Sequence, residues 1–138
     1  GNFRVRYGKA TKFMITASTG AMTAPVVTTV AETTTSRTCT SVDYGKLIIC
    51  SNAGLCTLTL PANGATAGTW IRFVGTGAAG FKVVAATADT LIVRNDTAAK
   101  SADFVTGSNM IGASLLVVSN GSFWIAINCS DCTMTITA

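Results

Sequence analysis

Residues 112–128 read GASLLVVSNGSFWIAIN, two apolar runs on either side of Asn120-Gly121. Asn-Gly is the pair that most readily closes a two-residue hairpin, because both turn positions require a positive φ and these two residues tolerate it best. Such a turn pairs Val118 with Phe123, Leu116 with Ile125, Val117 with Trp124 and Leu115 with Ala126. Successive side chains point to opposite faces of a strand, so the first two pairs share one face and the last two the other. Both faces are apolar, whereas a sheet with one solvated face alternates apolar and polar residues. The hairpin is therefore expected at the centre of the fold, covered on one face by a partner sheet and on the other by more chain or another subunit.

The flanking sequence extends the β pattern. Thr, Val and Ile are abundant beside many Ala and Gly, a mixture that favours strands and turns over helices. Upstream, KFMITAS and APVVTTVAE read as two strands, and residues 32–41, ETTTSRTCTS, as a linker or edge segment. The body opens at Val42-Asp43-Tyr44-Gly45. Lys46–Cys50 and Cys56–Leu60 flank the loop SNAGL and read as a half-buried hairpin, with Ile48 opposite Leu58 and Thr57 and Thr59 pointing away. Strands follow at Trp70–Val74, Phe81–Ala85 and Leu91–Val93. Residues 94–109 form the longest polar stretch of the body and read as a surface loop, and TMTIT closes the chain as a last strand. Short strands with turn signals between them indicate an all-β fold: an antiparallel β-sandwich or barrel-like body over 42–138, with an extended N-terminal arm and linker over 1–41 that carries one or two strands.

Composition narrows the function classes. A chain of 138 residues suits one domain. Its residues are 49% apolar and 12% charged, against roughly 25% charge in ordinary soluble domains. No apolar run approaches the roughly 18 residues of a membrane helix, and the basic start GNFRVRYGKATKF lacks the apolar block of a secretory leader. No membrane partner is expected. The apolar excess instead suggests permanent subunit interfaces, which resemble a core cut in half. Arg4, Arg6, Lys9 and Lys12 account for the whole net charge of +4, since the other six bases balance six acids. That arm reads either as a tether to an acidic surface or as the solvated face of a first strand, with Phe3, Val5 and Tyr7 opposite. Four charges without a following aromatic-rich, Arg-flanked strand do not make a nucleic-acid site.

Catalytic chemistry is sparse. The chain has no His, which removes the usual general base and zinc nitrogen ligand. Its acids, Glu32, Asp43, Asp89, Asp96, Asp103 and Asp131, mostly sit in turn-like settings. Gly75, Gly77 and Gly80 have half the spacing of a dinucleotide fingerprint but lead into a strand, with no helix N-terminus to hold a phosphate. Cys50 and Cys56 are candidates for a cross-strand disulfide if the SNAGL hairpin forms. Cys129-Ser-Asp-Cys132 lacks the helix of a redox motif, and four-thiolate zinc would need a second close-spaced knuckle. Buried free thiols or local disulfides are expected, with Cys39 unpaired. No cofactor, metal site or catalytic residue is assigned. Trp70, Phe73, Leu115, Val117 and Trp124 are assigned to core or subunit interface, because Trp and Phe are the usual anchors of both.

Tyr44-Gly45-Lys46, Thr57-Leu58-Thr59-Leu60-Pro61-Ala62 and Ala67-Gly68-Thr69-Trp70 leading to Phe73-Val74 form one set of shared patterns. Gly112-Ala113-Ser114, Ser119-Asn120-Gly121-Ser122 and Trp124 complete it. On these residues the body from about Asp43 to Asn128 resembles the small β-rich decoration, or cement, proteins and head-fibre domains of tailed bacteriophages. The resemblance implies a virion structural protein and not an enzyme. Such a protein is a homotrimer on the exterior of the head, binding the major capsid protein over a threefold axis. Arg4, Arg6, Lys9 and Lys12 then become the capsid-binding strap. A receptor- or glycan-binding module of a phage fibre is the alternative, and a disulfide-bearing adhesin module a third.

Overall fold

The computed structural model describes residues 3–7, 10–15, 22–23, 27–62, 65–87, 90–105 and 110–138, the first three stretches as backbone only. In chain order the strands are β1 (Phe3–Tyr7), β2 (Ala10–Ile15), β3 (Met22–Thr23), β4 (Thr29–Glu32), β5 (Ser36–Thr38), β6 (Leu47–Cys50), β7 (Cys56–Thr59) and β8 (Trp70–Gly75). Then come β9 (Phe81–Val84), β10 (Leu91–Val93), β11 (Asp96–Ala99), β12 (Ser101–Phe104), β13 (Ser114–Ser119), β14 (Trp124–Asn128) and β15 (Thr135–Thr137). A single 3-10 turn at Ser41–Asp43 is the one helical element among the described residues.

The fold is all-β, built on two mixed sheets. A seven-stranded sheet runs β11-β10-β14-β13-β8-β6-β4, a five-stranded sheet β15-β12-β9-β7-β5, and β1-β2-β3 form a small antiparallel sheet. From β4 to β9 the chain alternates between the two large sheets. β4, β6 and β8 stack in parallel in one, and β5, β7 and β9 in parallel in the other. This is the winding of a three-rung β-coil. The remaining strands close it by antiparallel pairing of β13 on β8 and β12 on β9, and by β10 lying parallel to β14.

The purely antiparallel body expected from the sequence is thus corrected. The hairpin across SNAGL does not form, because Ser51–Leu55 carries the chain from one sheet to the other and β6 and β7 each pair with a strand some 25 residues on (Cys50↔Gly75, Cys56↔Phe81). Ile48, Cys50, Cys56 and Leu58 do share an environment, since all four face the same core from opposite sheets. Residues 94–109 are not one loop. They supply β11 and β12, and Ser101–Phe104 is buried throughout. Residues 29–38 furnish an edge strand to each sheet.

The central hairpin forms with a register two residues away from the expected one. Ser119 pairs with Trp124, Val118 with Ile125, Val117 with Ala126, Leu116 with Ile127 and Leu115 with Asn128. The loop is therefore Asn120–Phe123, not Asn120-Gly121 alone. The Asn120 side-chain oxygen accepts from the Ser122 and Phe123 amides at 3.0 and 2.8 Å, so the side chain replaces backbone contacts that a tighter turn would have made. A shift of two, unlike a shift of one, leaves every side chain on its expected face.

One core joins the sheets. Ile48, Ile71, Phe73, Leu115, Val117 and Trp124 point in from the seven-stranded sheet, and Leu58, Phe81, Val83 and Phe104 from the five-stranded one, all at most 1% exposed. Phe81 touches Phe73 across the gap and Phe104 beside it, with ring centroids 6.5 and 5.0 Å apart. Gly80, just before Phe81, has φ +73°, and a Cβ there would lie 1.8 Å from the Phe104 carbonyl oxygen. Gly80→Ala is accordingly expected to cost about 2 kcal/mol or more, read as a lower urea midpoint at unchanged slope. An unchanged midpoint would contradict this close approach.

Candidate interaction surface

Strand alternation gives each large sheet a second, outer face, and the two outer faces differ in chemistry. On the five-stranded sheet the outward positions form two rows in register: Ser36, Thr57, Lys82, Asp103, Thr135 and Thr38, Thr59, Val84, Ser101, Thr137. These are hydroxyls for the most part, with a Lys82–Asp103 ion pair at 3.5 Å and the Thr137 hydroxyl donating to Asp103 at 3.4 Å. Such a face is polar, and within it Ser101 and Asp103 are buried.

On the seven-stranded sheet the outward rows are Leu47, Arg72, Leu116, Ile127 and Trp70, Val118, Ile125, Ile92, with Ile49, Val74 and Ser114 beside them. Val27, Leu47, Trp70, Leu116, Val118 and Cys129 line a groove of about 430 Å³ in this face, into which Arg72 also projects. Val27 is 50% exposed and Ile127 47%. Among the described residues, Arg72 is the one charge lining the groove. Its Nε donates to Ser114 Oγ at 3.2 Å, and it forms no ion pair among the described residues.

Of the residues assigned from the sequence to core or interface, Phe73, Leu115, Val117 and Trp124 lie in the core. Trp124 Nε1 donates to the Pro61 carbonyl at 2.9 Å, and its ring meets Tyr44 at 6.2 Å. Trp70 is different: it sits half-buried on the outer face, in the groove. Arg4 and Arg6 fall on β1 and Lys12 on β2, while Lys9 lies outside the described residues. Alternation alone could have flagged the groove, because Leu47, Trp70, Leu116 and Val118 each stand one position away from a core residue.

A polar cluster sits at the β4–β5 end of the two sheets. Arg37, on β5, donates to Glu32 Oε2 at 3.1 Å and to Asp43 Oδ1 at 2.6 Å, and the Thr40 amide donates to Asp43 Oδ2 at 2.9 Å. These bonds tie the first crossover between sheets to the 3-10 turn. The Thr34 hydroxyl, donating to Glu32, outweighs desolvation and, with the Thr34 amide and Arg37, holds the Glu32 carboxyl below its ordinary value. Both carboxylates are spoken for by structure.

Cys50 and Cys56 are buried free thiols, as is Cys39; Cys129 is exposed and Cys132 half-buried. Burial pushes the Cys39 thiol up to about 12 and raises Cys50 and Cys56 as well, which leaves them almost without thiolate at neutral pH. Among the described residues no cluster of His, Cys, Asp or Glu has a metal-holding arrangement.

Two measurements follow from these groups. In native protein at pH 8, a thiol reagent is expected to label Cys129 first and Cys132 next, with Cys39, Cys50 and Cys56 reacting at the unfolding rate; rapid labelling of all five would contradict the buried positions. A carboxyl with a depressed value contributes stability above its unfolded value of about 4.3 and loses it as pH falls through the folded one. Glu32→Gln should therefore be less stable than the parent at pH 7, with the gap closing below about pH 4, as read from urea melts across pH.

The sequence matches no protein-family model and no curated protein, so the chemistry of the surface itself carries the functional argument.

Proposed function

We propose that this chain is a virion structural protein, a capsid decoration protein that binds the outer surface of a phage head as a homotrimer and stabilises the shell. The observation that carries the reading is the opposed chemistry of the two outer faces, apolar on the seven-stranded sheet and hydroxyl-rich on the five-stranded one. An apolar sheet face of this breadth belongs against protein, and a hydroxyl face belongs in water. A plate with one of each suits a module that packs into an assembly by one side and meets solvent by the other. The low charge of the body and the basic run Arg4, Arg6, Lys9 and Lys12 support the same reading, with the run as a strap to the major capsid protein. The resemblance over Asp43–Asn128 supplies the identity of that assembly.

Cementing needs no catalysis. A ligand that binds the assembled lattice and not its dissociated subunits stabilises the lattice by mass action, roughly 4 kcal/mol per site at a thousandfold saturation. Repetition over a shell multiplies the effect. Quantitative peptide mass spectrometry of purified particles, giving copies of this chain per major shell protein, tests the proposal. Hundreds of copies per particle are expected, and removal of residues 1–12 is expected to leave a folded oligomer that no longer binds capsids. A handful of copies would move the protein to a receptor- or glycan-binding fibre, and absence from particles would overturn the virion assignment.

A further inference from the structure

We propose that the outer face of the seven-stranded sheet is the surface on which copies of this chain associate, and that Arg72 of one copy pairs there with Asp131 of the next. The inference rests on the oligomeric half of the decoration reading and not on its capsid half.

Three observations support it. The first is extent. Six inter-strand spacings of about 4.8 Å and strands of three to six residues give this face a footprint of roughly 300–550 Å², before Val27 at its margin is added. Specific interfaces take roughly 600–1,000 Å² from each partner, so the face with its rim approaches the small end of that range. The second is chemistry. Leu47, Trp70, Leu116, Val118 and Ile125 form an almost uninterrupted apolar lattice, and a second copy is a partner that brings an equally apolar surface.

The third is charge. Arg72 is exposed and lacks an ion pair among the described residues, and so does Asp131, which is exposed in the turn after β14. Arg72 stands within the face, between Leu47 and Leu116 in register, and hydrogen bonds link it towards Asp131, which follows the end of β14. Arg72 Nε donates to Ser114 Oγ, the Ser114 amide donates to Ser130 Oγ at 3.2 Å, and Asp131 is the next residue. A surface that holds one unpaired cation and one unpaired anion can meet copies of itself around a threefold axis, Arg72 of each facing Asp131 of the next. An unrelated partner would have to supply both signs at this spacing. Burial among apolar neighbours strengthens such a pair while penalising a mismatch, which sets the register of an otherwise slippery contact.

The test uses the full chain without capsids. Mass is read by light scattering and sedimentation, and thermal stability by circular dichroism. Leu116→Asp is expected to yield folded monomer. Arg72→Glu and Asp131→Arg should each weaken association about tenfold or more, and the double variant R72E/D131R should recover it. A monomeric parent, or Leu116→Asp with undiminished mass, overturns the surface; a monomeric parent with Trp70 emission already blue-shifted would place the chain's own N-terminal segment on it instead. A double variant that recovers thermal stability without mass overturns the pairing between copies in favour of one within the chain. Capsid binding plays no part in these readouts: a monomeric parent would also remove the homotrimer from the decoration reading, Leu116→Asp with undiminished mass would overturn this face alone, and failure to bind capsids would leave the self-association inference standing.

Discussion

Phe81 stands where the two sheets meet, and the fold depends on the contact it makes there. Neither sheet has a core of its own. Phe73 and its neighbours on one side and Phe81, Val83 and Phe104 on the other fill a single space, so each sheet is stable only as the lid of the other. The chain meets that requirement by crossing between them. From β4 to β9 each strand is followed by one in the opposite sheet, and each crossing brings a new pair of inward side chains to the same interior. Parallel stacking follows from the winding, because strands one turn apart run in the same sense. Gly80 is part of this arrangement: Phe81 reaches the interior over a backbone approach to the Phe104 carbonyl that leaves no room for a Cβ.

The period of two that fills the core also writes a second pattern outward. On β7 the residues between Cys56, Leu58 and Leu60 are threonines; on β13 the residues between Leu115, Val117 and Ser119 are Leu116 and Val118. Backbone geometry is the same in both cases, so the difference in solvation is a property of sequence alone. Desolvating the seven-stranded face gains apolar burial at roughly 25 cal/mol per Å², whereas covering the five-stranded face would strand hydroxyls and an ion pair. The two faces therefore differ in what can be placed against them.

Much of this was legible in the residues. The all-β class, the centrality of the 112–128 hairpin and the apolar character of both its faces followed from alternation. Register did not. Asn120 has a side chain that caps its own loop, and composition cannot distinguish a two-residue turn from a four-residue one when both keep the same faces inward. The parallel stacking was hidden for a different reason. An antiparallel hairpin and a crossover to a facing sheet both place Ile48 and Leu58 in apolar surroundings, and only the distant partners, Phe73 and Val83, tell them apart. Ser101–Phe104 escaped notice because Ser101 and Asp103 are polar yet buried, which periodicity reads as loop. The groove was half visible: Trp70 was assigned to core or interface, but its separation from the core residue Trp124 needed the register of β8.

An apolar face drives contact without directing it, since the hydrophobic effect has no angular preference. A face made solely of Leu, Ile and Val would accept a partner in many registers, and for a chain this poor in charge that is a route to aggregation. Direction has to come from the few groups whose burial is costly unless they are matched. On this face they run from Arg72, between Leu47 and Leu116, through Ser114 and Ser130 to Asp131 beyond the end of β14. Their contribution to affinity is small next to that of the apolar area, and their contribution to geometry is large, because any placement that buries Arg72 without an acceptor forfeits part of what the area gains. A few polar residues set into an apolar sheet face are in that sense what converts a sticky surface into one with a defined neighbour.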